Sequence, residues 1–331
     1  MELFVTMQLS SFPLLMPAIS ILIGLVILVW SADRFVAGAA ATAKNSGMSP
    51  LLIGLTIVSF GTSAPEIIVS LTASVNGAGS LAIGNALGSN IANIGLVLGI
   101  TALIAPLPVK SAVLRKEIPL LLAITLLAGY TLYDLHLSLV DGILLTIALV
   151  VALYLFNQFQ KGGTAEDQIA DDSEDIPDMS MAKSLFWLFF GLALLVISSR
   201  MLVWGAVEVA TAFGVSELVI GLTIVAIGTS LPELAASVAS ALKNHHDIAL
   251  GNVVGSNIFN LAAVMAIPGF IEPISIEAIA FNRDYMMMLG ITIALLIFCI
   301  IQRPPRVSRW EGGLLTAAYG GYMYTLYSAS L

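Results

Sequence analysis

The 331 residues are 58% hydrophobic and only 10% charged, where soluble domains carry about 25% charged residues. That balance excludes a sizeable soluble domain, and a single cysteine, Cys299, excludes an intrachain disulfide and a cysteine-based metal site. The net charge of −8 says little about partners, because seven acids fall between Glu166 and Asp178 and the remainder is nearly neutral.

MELFVTMQLSSF has no basic residue ahead of an apolar stretch too long for a signal-peptide core, so it is expected to lead into a first span at about 13–42. Spans of crossing length follow at about 50–75, 80–105, 117–134 and 138–158, joined by short turns such as Asn76-Gly77-Ala78-Gly79. The segment KGGTAEDQIADDSEDIPDMSM, at about 160–182, is polar and acidic and reads as a solvated linker. It lacks the glycine turn and spacing of an EF-hand loop. Five more spans are expected at about 183–212, 217–241, 247–270, 284–302 and 309–328.

With these spans, Lys44, Lys110, Arg115, Lys116, Lys161, Lys183, Lys243, Arg303, Arg306 and Arg309 share one side, and only Arg283 falls on the other. Cytoplasmic loops are enriched in Lys and Arg. Both termini are therefore expected outside the cytoplasm, with the acidic linker inside.

Residues 49–66, SPLLIGLTIVSFGTSAPE, match 216–233, SELVIGLTIVAIGTSLPE, at 13 of 18 positions with an offset of 167. The same offset lays 82–93, AIGNALGSNIAN, on 249–260, ALGNVVGSNIFN, with 8 identities in 12. The chain thus divides into a first five-helix repeat (1–159), the linker (160–182) and a second repeat (183–331). Five is odd, so the second repeat enters the membrane inverted, the plan of many secondary transporters whose site lies at the repeat interface. The expected fold is an all-α integral membrane protein of about ten transmembrane helices in two inverted five-helix repeats.

Glu66 and Glu233 fall mid-span, where an ionised acid costs about 2.5–3.5 kcal/mol on insertion scales and usually faces a cavity or a partner. No lysine or arginine recurs at a matching position to neutralise them, which leaves a bound cation as the natural counter-charge. Ser59, Thr62, Ser63, Glu66 and Ser70 form one polar stripe at helical spacing, echoed by Thr229, Ser230, Glu233 and Ser237. Pro65 and Pro232 each lack an N–H and crowd a carbonyl four residues back, releasing backbone oxygens near Thr62 and Thr229. Asn85, Ser89 and Asn93 make a second stripe, with Asn252, Ser256 and Asn260 as counterparts. Gly84 and Gly88, like Gly251 and Gly255, form small-xxx-small pairs that admit a neighbouring helix. Every donor is oxygen, which suits hard cations such as Ca2+ with about 6–8 oxygen ligands rather than Zn2+. Interhelical hydrogen bonding alone, about 1 kcal/mol or less per residue, gives no reason to keep an acid in both halves.

Elsewhere the sequence offers less. His245-His246-Asp247 has metal-like composition but no copy in the first half, and is expected to be a solvated loop. Asp33 with Arg34, and Arg200 with Glu208, read equally as ion pairs or as snorkelling ends. No phosphate-binding loop or HExxH motif supports ATP-driven pumping or zinc proteolysis, so no enzyme activity is expected.

GTSAPE with GNALGSNIAN, and GTSLPE with GNVVGSNIFN, resemble the paired α-repeats of the calcium/cation antiporter superfamily, and most closely its prokaryotic sodium/calcium exchanger branch. The resemblance implies the sodium/calcium exchanger fold in a cell (inner) membrane, with Ca2+ and Na+ as transported ions, and neither cofactor nor nucleic-acid partner. It implies that Glu66 and Glu233 hold Ca2+ with the backbone oxygens of Thr62 and Thr229 and share Na+. Ser63, Ser89, Ser230 and Ser256 match flanking Na+ ligands, Ala226 matches a carbonyl donor, and Asn93 matches an asparagine beside the centre. Asn260 stands where several relatives have aspartate, which leaves two acids and an open question of coupling. The long first and sixth spans resemble the pair that slides to switch access. An H+- or K+-linked exchanger on the same fold, a Ca2+ channel and a membrane scaffold are the alternatives.

Overall fold

The computed structural model describes residues 14–161, 176–215, 224 and 226–329. Residues 1–13, 162–175, 216–223, 225, 330 and 331 lie outside the described residues, and with them most of the acidic linker and the start of the second repeat's first block. Each of the ten expected spans contains helix among the described residues. In chain order these are α1 (Leu15–Ser46), α2 (Pro50–Thr62), α3 (Ala64–Val75), α4 (Gly79–Ile104), α5 (Glu117–Leu132), α6 (Leu139–Lys161), α7 (Met181–Ala212), α8 (Leu231–Leu242), α9 (His246–Ile271), α10 (Ala280–Ile301) and α11 (Arg309–Ala329). Among the described residues, α1, α4, α6, α7, α9 and α10 are long and apolar enough to cross a membrane. The pair α2–α3, bent by 44°, makes a seventh. With 16 residues α5 is short for a crossing, and α8 follows a single helical turn, Ala226–Thr229.

Local chemistry sets the boundaries. Gly47 ends α1 in the left-handed region at φ 68°, and the Ser49 side chain accepts the Leu52 N–H at 3.2 Å to open α2, with Pro50 in its first turn. Ser180 caps α7 in the same way, accepting from the Lys183 N–H.

Inverted duplication governs how the helices meet. The two longest helices, α1 and α7, lie against each other, and glycines at the repeat offset bring their backbones close. A Cβ on Gly38 would stand 2.5 Å from the Leu188 nitrogen, and one on its counterpart Gly205 2.7 Å from the Pro17 oxygen. Gly24 faces the Ser198 oxygen and its counterpart Gly191 faces the Phe35 nitrogen. The order of these contacts makes the pair antiparallel. Two-residue strands tie the repeats together at opposite ends of α5: β1 (Leu107–Pro108) pairs with β4 (Arg306–Val307), and β2 (His136–Leu137) with β3 (Ile274–Ser275).

The Gly251 and Gly255 pair meets α2, as small-xxx-small spacing predicts. A Cβ at Gly255 would lie 2.5 Å from both the Leu55 oxygen and the Ser59 Oγ, and Gly54 answers from α2 by packing against Ile248 and Gly251. Lipid tails supply no hydrophobic drive between helices, so this close packing carries the association. Gly255→Ala is expected to destabilise the protein by about 1–3 kcal/mol, the usual range for overpacking. A lower melting temperature in detergent, unmatched by Gly313→Ala, checks it; a Cβ at Gly313 would meet only a side-chain carbon at 3.7 Å.

One expectation is corrected. His245 and Asp247 are buried rather than solvated, with relative exposures of 1% and 5%. His246 begins α9, Asp247 sits in its first turn, and Lys110 Nζ reaches Asp247 Oδ2 at 2.6 Å. An acid suits a helix N-terminus, and its cation arrives from the other repeat. In α1, Asp33 Oδ1 pairs with Lys243 Nζ at 2.7 Å, while the Arg34 guanidinium stacks over Trp30 and Trp187. Arg200 and Glu208 are exposed on α7. The far end of the acidic linker meets α1, where Lys44 Nζ binds Asp178 at 2.6 Å and Asn45 Nδ2 donates to the Met179 oxygen.

Candidate functional site

Both repeats break at the same place. Helix α2 ends at Thr62, Ser63 takes φ −81° and ψ 3°, and α3 starts with Pro65 in its first turn. In the second repeat the turn ending at Thr229 is followed by Ser230 at φ −89° and ψ 5°, then by α8 with Pro232 in its first turn. Proline cannot continue the preceding ladder but suits the first turn of a helix. The break therefore sets Glu66 and Glu233 in the first turn of a new helix, each turned inward and buried at 1% and 0% exposure.

The breaks are drawn together across the repeat boundary. Ser63 Oγ donates to Glu233 Oε1 at 3.3 Å. Thr62 Oγ1 donates to Asn252 Oδ1 at 3.1 Å and lies 3.5 Å from Ser256 Oγ. Helix α4 turns π-helical from Asn93 to Leu98, and α9 does so from Asn260 to Val264. These segments start at repeat-equivalent residues, and π-bulges favour functional sites. The Asn93 segment packs on α8, which carries Glu233, and the Asn260 segment packs on α3, which carries Glu66. Ser70 Oγ seals the second contact by donating to the Val264 oxygen at 2.9 Å.

Of the residues expected from sequence, Glu66, Glu233, Thr62, Ser63, Ser89, Ser230, Ser256, Asn93 and Asn260 are all buried. Thr229 is half-buried, and Ala226 opens the helical turn that leads to it. Thr62, Ser63, Ser256 and Glu233 are joined by the short contacts above. Glu66 Oε2, Glu233 Oε2, Ser230 Oγ and both polar atoms of Asn93 and of Asn260 are buried without a hydrogen-bond partner. Buried polar atoms are nearly always satisfied, so this concentration of lone pairs marks a place made for something that accepts them. Among the described residues no lysine or arginine pairs with either glutamate, and no three His, Cys, Asp or Glu side chains converge. The site can offer two negative charges and a shell of neutral oxygens, a donor set for hard cations.

Asn85 and Asn252 belong to the polar stripes but were not among the expected site residues. Their amides reach the backbone oxygens of Glu66 and Glu233 respectively, each at 3.3 Å. Their recurrence at the repeat offset was the available signal.

The family model described as sodium/calcium exchanger protein matches residues 16–157 and 183–328. CaxA of Alkalimonas amylolytica is 47% identical over 319 residues, spanning 96% of this chain and 100% of that protein. Inner membrane protein YrbG of Escherichia coli (strain K12) is 43% identical over 312 residues, 93% of this chain and 95% of that one. A solved structure of the sodium-calcium exchanger NCX_Mj, soaked with Na+ and Ca2+, superposes with a TM-score of 0.81 at 32% identity, covering 94% of this chain and 99% of that one.

Proposed function

This chain belongs to the sodium/calcium exchanger family, and on that premise we propose that it exchanges Ca2+ for Na+ by alternating access around Glu66 and Glu233. The family comprises membrane cation antiporters rather than enzymes. The observation that carries the reading is the pair of buried carboxylates at repeat-equivalent helix breaks, each with an oxygen left unbonded and, among the described residues, no cationic side chain paired with it.

Ca2+ is held between the Glu66 and Glu233 carboxylates and the backbone oxygens of Thr62 and Thr229. Na+ takes the same carboxylates together with Ser63, Ser89, Ser230, Ser256 and the Ala226 carbonyl, while Asn93 and Asn260 line the centre. One set of carboxylates cannot neutralise both loads at once, so occupancy is mutually exclusive and the two fluxes are coupled. The repeats, 1–159 and 183–331, supply equivalent halves, and α1 with α7 slides across the rest to change the side of access. The protein sits in the inner membrane with both termini extracytoplasmic and the 160–182 linker cytoplasmic, which the distribution of Lys and Arg supports.

The test is Ca2+ uptake into proteoliposomes loaded in turn with Na+, K+ or acid. Uptake is expected with the Na+ gradient and not with the others. Uptake driven by K+ or H+ would reassign the counter-ion, and uptake with no counter-gradient would make the protein a channel.

A further inference from the structure

Resting on that reading of the site, we infer that Asn252 is a positioning residue that fastens the two halves of the ion site to each other. Its side chain is 1% exposed. It accepts from Thr62 Oγ1 at 3.1 Å, and donates to the Glu233 backbone oxygen at 3.3 Å and to Ser237 Oγ at 3.0 Å. One carboxamide therefore grips the break of the first repeat and two turns of the acid-bearing helix of the second.

Two features argue that this is more than helix packing. First, Asn85, its counterpart at the repeat offset, makes the same bond to the Glu66 oxygen at the same 3.3 Å, so the contact belongs to the architecture of each repeat. Second, the Thr62 hydroxyl donates to Asn252 Oδ1 at 3.1 Å and lies 3.5 Å from Ser256 Oγ, so Asn252 fixes this side chain and with it the peptide whose carbonyl is the assigned ligand. Asn252 is thus not a ligand itself; it acts through Thr62 and Glu233.

Asn252→Leu keeps the volume and removes the bonds, and Thr62→Val removes the hydroxyl while keeping the carbonyl. Each is expected to raise the apparent KM for Ca2+ in Na+-loaded proteoliposomes about fivefold, with maximal rate within about twofold of the parent, the scale of an interhelical hydrogen bond in lipid. The double variant is expected to be no worse than the more affected single, because both remove one linkage. An unchanged KM in either well-folded single, or effects that multiply in the double, would overturn the inference. If Asn252→Leu fails to fold, Thr62→Val decides alone. A parent protein that exchanges no Ca2+ would count against the proposed function and not against this role.

Discussion

Glu66→Gln or Glu233→Gln is expected to lower Ca2+ exchange at least about 100-fold while leaving the protein as stable as the parent or more so. The loss follows from charge. At a Ca–O distance of about 2.4 Å and an effective dielectric of about 20, each carboxylate contributes on the order of 10 kcal/mol of gross attraction to a divalent ion. Most of that offsets dehydration of the ion, but forfeiting even about 2.7 kcal/mol gives the 100-fold loss. Glutamine keeps the oxygen and the shape, so the position of the helix break is preserved. Stability moves the other way because the substitution removes an uncompensated buried charge, which is costly in a low-dielectric interior. The measurements are radiolabelled Ca2+ uptake against a Na+ gradient and thermal melting in detergent. Retained exchange in either variant would remove the glutamates from the mechanism.

The second large effect concerns voltage. With asparagine at both 93 and 260, the proposed site has two fixed charges, which a bound Ca2+ would neutralise. Ca2+/Ca2+ exchange, which never uses the Na+-loaded form, should then be indifferent to membrane potential in the parent. Asn260→Asp adds a third acid and leaves the Ca2+-loaded form with a net charge of about −1. One elementary charge crossing the whole field is worth about 2.3 kcal/mol per 100 mV, and partial crossing gives a change of severalfold. Isotopic Ca2+ exchange at clamped K+ diffusion potentials reads this directly. Voltage-sensitive exchange in the parent would contradict the two-charge site, and a flat response in both proteins would mean that the added acid carries a proton.

Much of this site was legible in advance because its parts are local. Pro65 and Pro232 announce helix breaks from chain chemistry alone, and an acid one residue later in both repeats is costly enough to signal use. What escaped was relational. Asn85 and Asn252 lie on the same helical stripes as Ser89 and Ser256, and spacing does not say whether a carboxamide faces an ion or a neighbouring backbone. In sequence His245-His246-Asp247 reads as a surface loop, because Lys110, which pairs with Asp247 at 2.6 Å, lies in the other repeat. Gly24 and Gly38 have their copies at Gly191 and Gly205, a signal available at the same offset that marks the α1–α7 contact.

The sequence by itself determined the membrane-spanning helical class, the two repeats and their inversion, since these follow from hydropathy, an odd helix count and a repeat offset. Only the tertiary structure decided which oxygens are used up and which are left over. Thr62 Oγ1 is committed to Asn252 and Ser63 Oγ to Glu233, while Glu66 Oε2, Asn93 and Asn260 keep unbonded atoms. A hydrogen bond is settled by a few tenths of an ångström and by angle, and those are set only when helices more than 150 residues apart in sequence pack face to face.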